Sequence, residues 1–424
     1  MRAKEGMTLR ELLEKRAEKD GKKAFVFFQD QVVNFATLNQ NVDRFANGLR
    51  RLGVKKGDKV CLFLPNCLEF LYLWFGLAKI GGVMIPLNFD LRGEELRYII
   101  HHCEARRIVV DEDLYPAYAQ IEKDLSRIDR KIWRGRNHPP SKDFYSLQNL
   151  LRGSEDRSPG EEIMDKDPLG ILYTSVAASP PRGIVISHFN YIHTGEVWAK
   201  EAIAFHEEDI FFTSLPLFGA NAQMFSIMGS LATGCPHVLR ENFLPSRFWE
   251  DIRQSRATIF NFTAGMLSML MKQPVRENDT DHSIRAAFGG IVSQELRQGF
   301  EKRFRIKILE GYGWIESGGL SFVSFGNDKK VDSLGKPIRF CEAMIWDENN
   351  QEVPIGQTGK IVVKGEIPHS ISLGYYKQPD KTAEAWDGGA FHTGEWGYRD
   401  ADGYFYLADQ YDKGIRRFGE NIFL

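Results

Sequence analysis

Apolar, β-branched runs alternate with helix-length segments along most of this chain, and that alternation limits the fold more than any other feature. Lys59 to Leu64 (K-V-C-L-F-L) is a compact apolar run, followed by Pro65-Asn66, a helix-like stretch from Leu68 to Lys79, then Gly81-Gly82 and V-M-I-P. Strand, helix and strand in that order pair in parallel, so a parallel sheet begins here. Asn66, with Glu69 three residues on, reads as a helix cap. Glu69, Lys79 and the Gly-Gly break divide the apolar run into pieces too short to span a bilayer, so a buried helix is expected and no membrane span. From Ile171 the alternation resumes, with strands expected at Ile184–Ser187, Ile210–Ser214, Thr258–Asn261, Ala286–Phe288 and Ile306–Leu309. Two successive sets of this kind predict doubly wound α/β layers.

A chain of 424 residues exceeds one compact core, and about two or three subdomains are expected. The boundaries follow the changes in pattern: a first α/β subdomain over 1–165, a second over 166–320, a small β-barrel over 321–410 and a hinge at 411–424. The charged, proline-punctuated stretch Asp111 to Asp167 suits a surface excursion or a joint. After Leu320, short runs separated by D-E-N-N-Q, G-Q-T-G, W-D-G-G and D-A-D-G carry the pattern of a barrel or meander. A formal net charge of −2 offers nucleic acid no attraction and directs attention to a small partner. Cys61, Cys67, Cys103, Cys235 and Cys341 contain no C-x-x-C pair, which reads as reduced, mostly buried thiols in a cytoplasmic protein. The N-terminus reads as an amphipathic helix from Thr8 rather than an export signal. His101, His102, His188, His193 and His206 lack metal-ligand spacing and read as surface or core imidazoles. There is no G-x-S-x-G elbow and no G-x-x-x-x-G-K-[ST] loop.

Ile171 to Ser187 reads I-L-Y-T-S-V-A-A-S-P-P-R-G-I-V-I-S: strand, small-residue loop, strand. In frame, the loop resembles the phosphate-binding signature T-S-G-T-T-G-x-P-K-G of the AMP-forming adenylating enzymes, the acyl-CoA synthetase superfamily. Further blocks follow in that family's order: L-P-L-F-G at Leu215–Gly219, G-Y-G-W-I-E at Gly311–Glu316, H-T-G-E-W-G-Y at His392–Tyr398, A-D-Q-Y-D-K-G-I at Ala408–Ile415 and F-G-E-N-I at Phe418–Ile422. The N-terminal half, with F-L-Y-L-W-F-G-L-A-K-I-G-G-V-M-I-P-L-N, looks most like the carnitine and crotonobetaine CoA ligases.

The resemblance implies the large N-terminal domain of an acyl-CoA synthetase, using ATP, magnesium and coenzyme A to turn a carboxylic acid into acyl-adenylate and then acyl-CoA. Carried over by position, Thr174, Ser175, Ser179 and Arg182 would meet the ATP phosphates, Tyr312 adenine, Glu395 the ribose diol and Gln410 the nucleotide. Glu316 takes the magnesium-ligand position and, with Arg182, the catalytic role. Phe218, Gly219, Phe262, Gly289 and Trp314 are the candidate acyl pocket, with Phe225 and Phe288 nearby. Core packing is the competing reading for each of these aromatic residues.

Several positions depart from the family. Val176, Ala177, Ala178 and Ser179 replace Gly-Thr-Thr-Gly, and Val176 opposes the positive φ that glycine permits. Pro180 beside Pro181 removes an N–H donor. Arg182 replaces lysine and still offers a bidentate fork for phosphate. Ile315 replaces threonine, Gln410 an arginine, Gly219 a histidine and Glu395 an aspartate. The resemblance also implies a C-terminal domain of about a hundred residues, carrying the adenylating lysine, which another polypeptide would have to supply. A second reading therefore stands beside the ligase: a catalytically inactive descendant that keeps the fold and binds nucleotide, acyl-CoA or protein as a regulator or scaffold.

Overall fold

A computed structural model describes residues 6–176, 179–324, 330–408, 414–417 and 420–423; for 175, 176, 179 and everything after 408 only the backbone is described. The first helix, α1 (Leu9–Asp20), starts where the sequence places it. Thr8 and Glu11 form a reciprocal cap, with the Thr8 N–H donating to Glu11 Oε2 at 2.8 Å and the Glu11 N–H to Thr8 Oγ1 at 3.3 Å. A hairpin of β1 (Ala24–Phe28) and β2 (Gln31–Asn34) follows, then α2 (Phe35–Arg51), capped by the Asn34 side chain.

The first sheet contains β3 (Lys59–Phe63), β4 (Val83–Pro86), β5 (Arg107–Asp111), β6 (Arg130–Arg134), β7 (Phe144–Ser146), β8 (Pro168–Val176) and β9 (Ser179–Ser187). Its spatial order is β7-β6-β5-β3-β4-β8-β9, parallel throughout except for the final β8–β9 pair. Within the stretch after Asp111, expected as a surface excursion or a joint, β6 and β7 join this sheet.

The second sheet draws on both halves of the chain. Its parallel centre is β10 (Phe211–Thr213), β11 (His237–Leu239), β12 (Ile259–Phe262), β13 (Ala286–Gly289) and β14 (Lys307–Tyr312), with β1 beside β11 and β2 at the edge. On the other side it continues through β15 (Phe322–Ser324), β16 (Ser333–Pro337), β17 (Cys341–Trp346), β18 (Gly359–Gly365), β19 (Phe391–Arg399) and β20 (Phe405–Leu407), for thirteen strands in all. The expected β-barrel is not found: among the described residues these late strands form no closed barrel. β16 lies between β15 and β20 and so joins them to the large sheet, while β17 remains at the far edge, paired to β18. Short alternating strands suit either architecture, and the long-range pairing of β16 decides between them.

Helix α3 (Leu68–Lys79) is buried on every face. Its one lysine, Lys79, is satisfied inside the protein, donating to Asp43 at 2.7 Å, Asn39 at 2.8 Å and Glu14 at 3.1 Å on α2 and α1. Among the described residues no helix is long and apolar enough to cross a membrane. Asn66 does not cap α3. Cys67 holds that position without a side-chain bond, and Asn66 instead donates to the carbonyls of Leu215 and Arg240, both at 2.9 Å, and accepts from Leu217 N–H at 2.6 Å. This buried amide ties the end of β3 to the loops that follow β10 and β11. All five cysteines are unpaired, and four are buried.

Candidate functional site

The β8–β9 hairpin carries Thr174 and Arg182 directly opposite one another, and pairing continues to Val176 and Ser179. The sequence reading put a loop there. The ladder instead reaches Val176 and Ser179, with a register shift between Thr174 and Val176 where Pro180 and Pro181 have no N–H to contribute. A β-branched valine favours this extended course over the left-handed turns of a glycine-rich loop. The side chains of Ser175 and Ser179, residues Ala177 and Ala178, and Gln410 lie outside the described residues.

The outer edge of β9 is covered by a short strap. Leu373 N–H donates to Val185 C=O at 2.8 Å, Val185 N–H to Gly374 C=O at 2.9 Å and Tyr376 N–H to Gly183 C=O at 2.7 Å. Tyr375 thereby faces the candidate phosphate residue, and the Arg182 guanidinium sits 5.6 Å from the centre of its ring. Among the described residues the buried Arg182 Nε has no hydrogen-bond partner.

Beyond β14 the chain makes a tight turn. Ser317 and Gly319 N–H both donate to Trp314 C=O, and Ser321 N–H returns to Tyr312 C=O. This turn presents Tyr312, Trp314 and Glu316 in quick succession. The Tyr375 phenol donates to Glu316 Oε1 at 3.0 Å, and Ser372 N–H donates to the Glu316 carbonyl at 3.1 Å. Burial raises the Glu316 carboxyl above the ordinary range, while the Tyr375 hydrogen bond and the Arg182 charge oppose that shift. Burial, and then the Glu316 charge, likewise raise the Tyr375 phenol. Arg182, Tyr375 and Glu316 thus form one cluster. The sequence signal for Tyr375 is only a glycine followed by two tyrosines.

A second pair lies on the same turn. Tyr312, 5% exposed, donates its phenol to Glu395 of β19, with Oε1 at 2.6 Å and Oε2 at 2.7 Å. Trp314 stands edge-on to Tyr312 with ring centres 5.2 Å apart. The residues matched to adenine and to ribose are therefore in direct contact.

The pocket candidates separate by burial. Phe218 is half-buried and packs edge-on against Phe89 at 5.0 Å. A side chain at Gly219 would meet only the Pro216 carbonyl, at 3.4 Å. Phe262 is fully buried against Gly289, where a Cβ would come within 2.5 Å of the Phe262 ring and carbonyl. Phe225 and Phe288 pack with Trp198 in an aromatic cluster. Among the described residues no group of three or more His, Cys, Asp or Glu is arranged to hold a metal.

A profile of AMP-binding enzymes matches residues 13–376. A crotonobetaine/carnitine–CoA ligase of Salmonella paratyphi A is 33% identical over 98% of this chain and 82% of its own length, and one from Salmonella typhimurium is 34% identical with the same coverage. Among solved structures, an anthranilate CoA ligase in complex with anthranoyl-AMP superimposes with a TM-score of 0.89 at 22% identity, covering 99% of this chain and 82% of that one. A fatty acyl CoA synthetase from Mycobacterium tuberculosis gives 0.84 at 26% identity, covering 98% and 80%.

Proposed function

The chain belongs to the AMP-binding enzyme family, and on that footing we propose that it activates a carboxylic acid with ATP and passes the acyl group to coenzyme A. In the first half-reaction a carboxylate oxygen attacks the α-phosphorus of ATP, giving acyl-adenylate and pyrophosphate. In the second the CoA thiol attacks the acyl carbonyl, and AMP leaves with the bonding pair while the thiol gives up its proton. The observation that carries this reading is the convergence of Arg182 and Glu316 on Tyr375 beside the Tyr312–Glu395 pair.

Each group has a distinct task. Arg182 pairs with phosphate oxygens and offsets their charge. Glu395 accepts from the ribose hydroxyls, and Tyr312 lies against the base. Glu316 fits the divalent cation this chemistry uses, because magnesium takes one or two carboxylates and completes its shell with water and substrate phosphate. Bound there, magnesium would neutralise charge on the triphosphate. The relatives named for crotonobetaine and carnitine make a short acid bearing a quaternary ammonium the first acid to test, with the faces of Trp314 and Phe218 as its cation-binding surfaces. We place the reaction in the cytoplasm, where ATP and CoA are available and unpaired thiols stay reduced.

Isothermal titration with Mg-ATP should give heat that falls about tenfold in affinity or more for Arg182→Ala, on the scale of one lost charge-assisted contact. No heat with ATP or AMP from a folded protein would overturn the reading. The β8–β9 pairing across the phosphate-loop positions favours a second reading, in which the chain binds nucleotide without turnover as a regulator or scaffold. Nucleotide binding with no pyrophosphate released across a panel of acids, carnitine and crotonobetaine included, would select it.

A further inference from the structure

We infer that Tyr375 is a positioning residue that aims the Arg182 guanidinium and the Glu316 carboxylate at one shared phosphate and metal site. This rests on the adenylating reading above.

The geometry is specific to this side chain. Tyr375 meets two functional groups at once: its ring lies against Arg182 at 5.6 Å, and its hydroxyl donates to Glu316 at 3.0 Å while the Arg182 guanidinium also reaches that hydroxyl. Those groups come from separate elements, Arg182 from β9 and Glu316 from the turn after β14, and the side chain of Tyr375 touches both.

The residue is itself held in place from several sides. Its strap is hydrogen-bonded to β9 on both sides of Ile184. Tyr375 N–H donates to Thr382 Oγ1 at 2.9 Å, and that hydroxyl donates in turn to Gln378 C=O at 2.9 Å. Gly374 allows this close approach: its φ is +104°, and a Cβ there would lie 2.4 Å from Thr382 Cγ2. Trp386 packs edge-on to the Tyr375 ring with centres 5.7 Å apart. A side chain so confined can transmit an orientation to the groups it touches.

The chemistry of the two contacts fits such a role. A phenol donating to one carboxylate oxygen fixes the plane of the carboxylate and leaves the other oxygen's direction defined for a cation. An aromatic face beneath a guanidinium holds it without consuming all of its N–H donors, which remain available to phosphate.

The test separates the two contacts by substitution and reads binding rather than turnover. ATP binding to the whole chain is titrated calorimetrically over a range of Mg²⁺ concentrations and again in EDTA. Tyr375→Phe keeps the ring and loses the hydroxyl; it should raise the half-saturating Mg²⁺ concentration about tenfold while lowering ATP affinity in EDTA by a clearly smaller factor. Tyr375→Leu removes both contacts and should weaken ATP binding in EDTA as well. In a Glu316→Gln background, Tyr375→Phe should shift the Mg²⁺ dependence no further, because its partner is already altered. A purely structural role predicts equal losses with and without Mg²⁺ together with a lower melting temperature, and that result overturns the inference. If Arg182→Ala and Glu316→Gln lose binding but Tyr375→Phe titrates as wild type, this inference alone fails. A wild-type protein that takes up no ATP in either condition overturns the adenylating reading and this one with it.

Discussion

Three hydrogen bonds from one amide join the two sheets at Asn66. The residue is 1% exposed, and truncating it would strand the buried Leu217 N–H and Leu215 carbonyl and free the part-buried Arg240 carbonyl. Asn66→Ala should therefore cost about 2–3 kcal/mol of stability, measurable as a lower urea midpoint with an unchanged slope. Asn39 is a fair control because it donates to Asp43 and accepts from Lys79 within a cluster that keeps other bonds. The sequence makes Asn66 visible for the wrong reason. N-x-x-E is a local cap pattern, whereas its real partners lie 149, 151 and 174 residues away, and no local pattern reports them. Arg182, Glu316, Tyr312 and Glu395 were legible because each stands inside a block whose order and spacing can be matched. Tyr375 was not, because its role comes from a pairing of the strap with β9 that only the folded chain creates.

The helix His188–Val197 shows how an element can carry a pH dependence. It places His188 in the interior and His193 half-buried, and desolvation depresses both imidazoles to about 4; at His188 the Asp167 charge opposes the shift, and at His193 Glu196 does. His188 Nδ1 accepts from the Leu9 N–H at 3.3 Å, so adding a proton there would break the link to α1. The sign follows from the depressed values. Above about pH 6.5 both folded and unfolded histidines are neutral and stability is full, while between 6.5 and 4 the unfolded chain takes up the protons and stability falls. The urea midpoint should drop from pH 7 to pH 5, and His188→Gln should flatten part of that slope. At this scale the sequence served well for helix α3, whose ends were legible from a mostly apolar run, broken only by Glu69 and Lys79, between Pro65-Asn66 and Gly81-Gly82. It served less well for β8 and β9, since small residues between two strands read as a loop until cross-strand pairing is known.

At the scale of the molecule the two sheets exchange strands. β1 and β2, from the first forty residues, complete the large sheet beside β11, while β8 and β9 close the smaller sheet beside β4. One apolar core runs from Met7 to Ile338 across both. A fragment cut at 165 would lose the neighbour of β1 and the strands beyond β4, so residues 1–165 alone should give the dispersion-poor amide spectrum of an unfolded chain, and the whole chain should melt in a single transition. A folded, monomeric 1–165 fragment would contradict this. The strands ending near Ser187, Ser214, Asn261, Phe288 and Leu309 were legible from composition and period, whereas β1, β2, β6, β7 and β11 were not. Their order was not, because strand order depends on which edges meet after the chain has crossed between layers. The strap at 373–376 has one more consequence at this scale. Without it β9, a nine-residue strand, would end its sheet with main-chain donors and acceptors open to solvent, a template on which another molecule could add a strand. The segment that delivers Tyr375 is therefore also what keeps neighbouring copies from stacking edge to edge, and damage to it should be seen first as lost solubility and only then as lost activity.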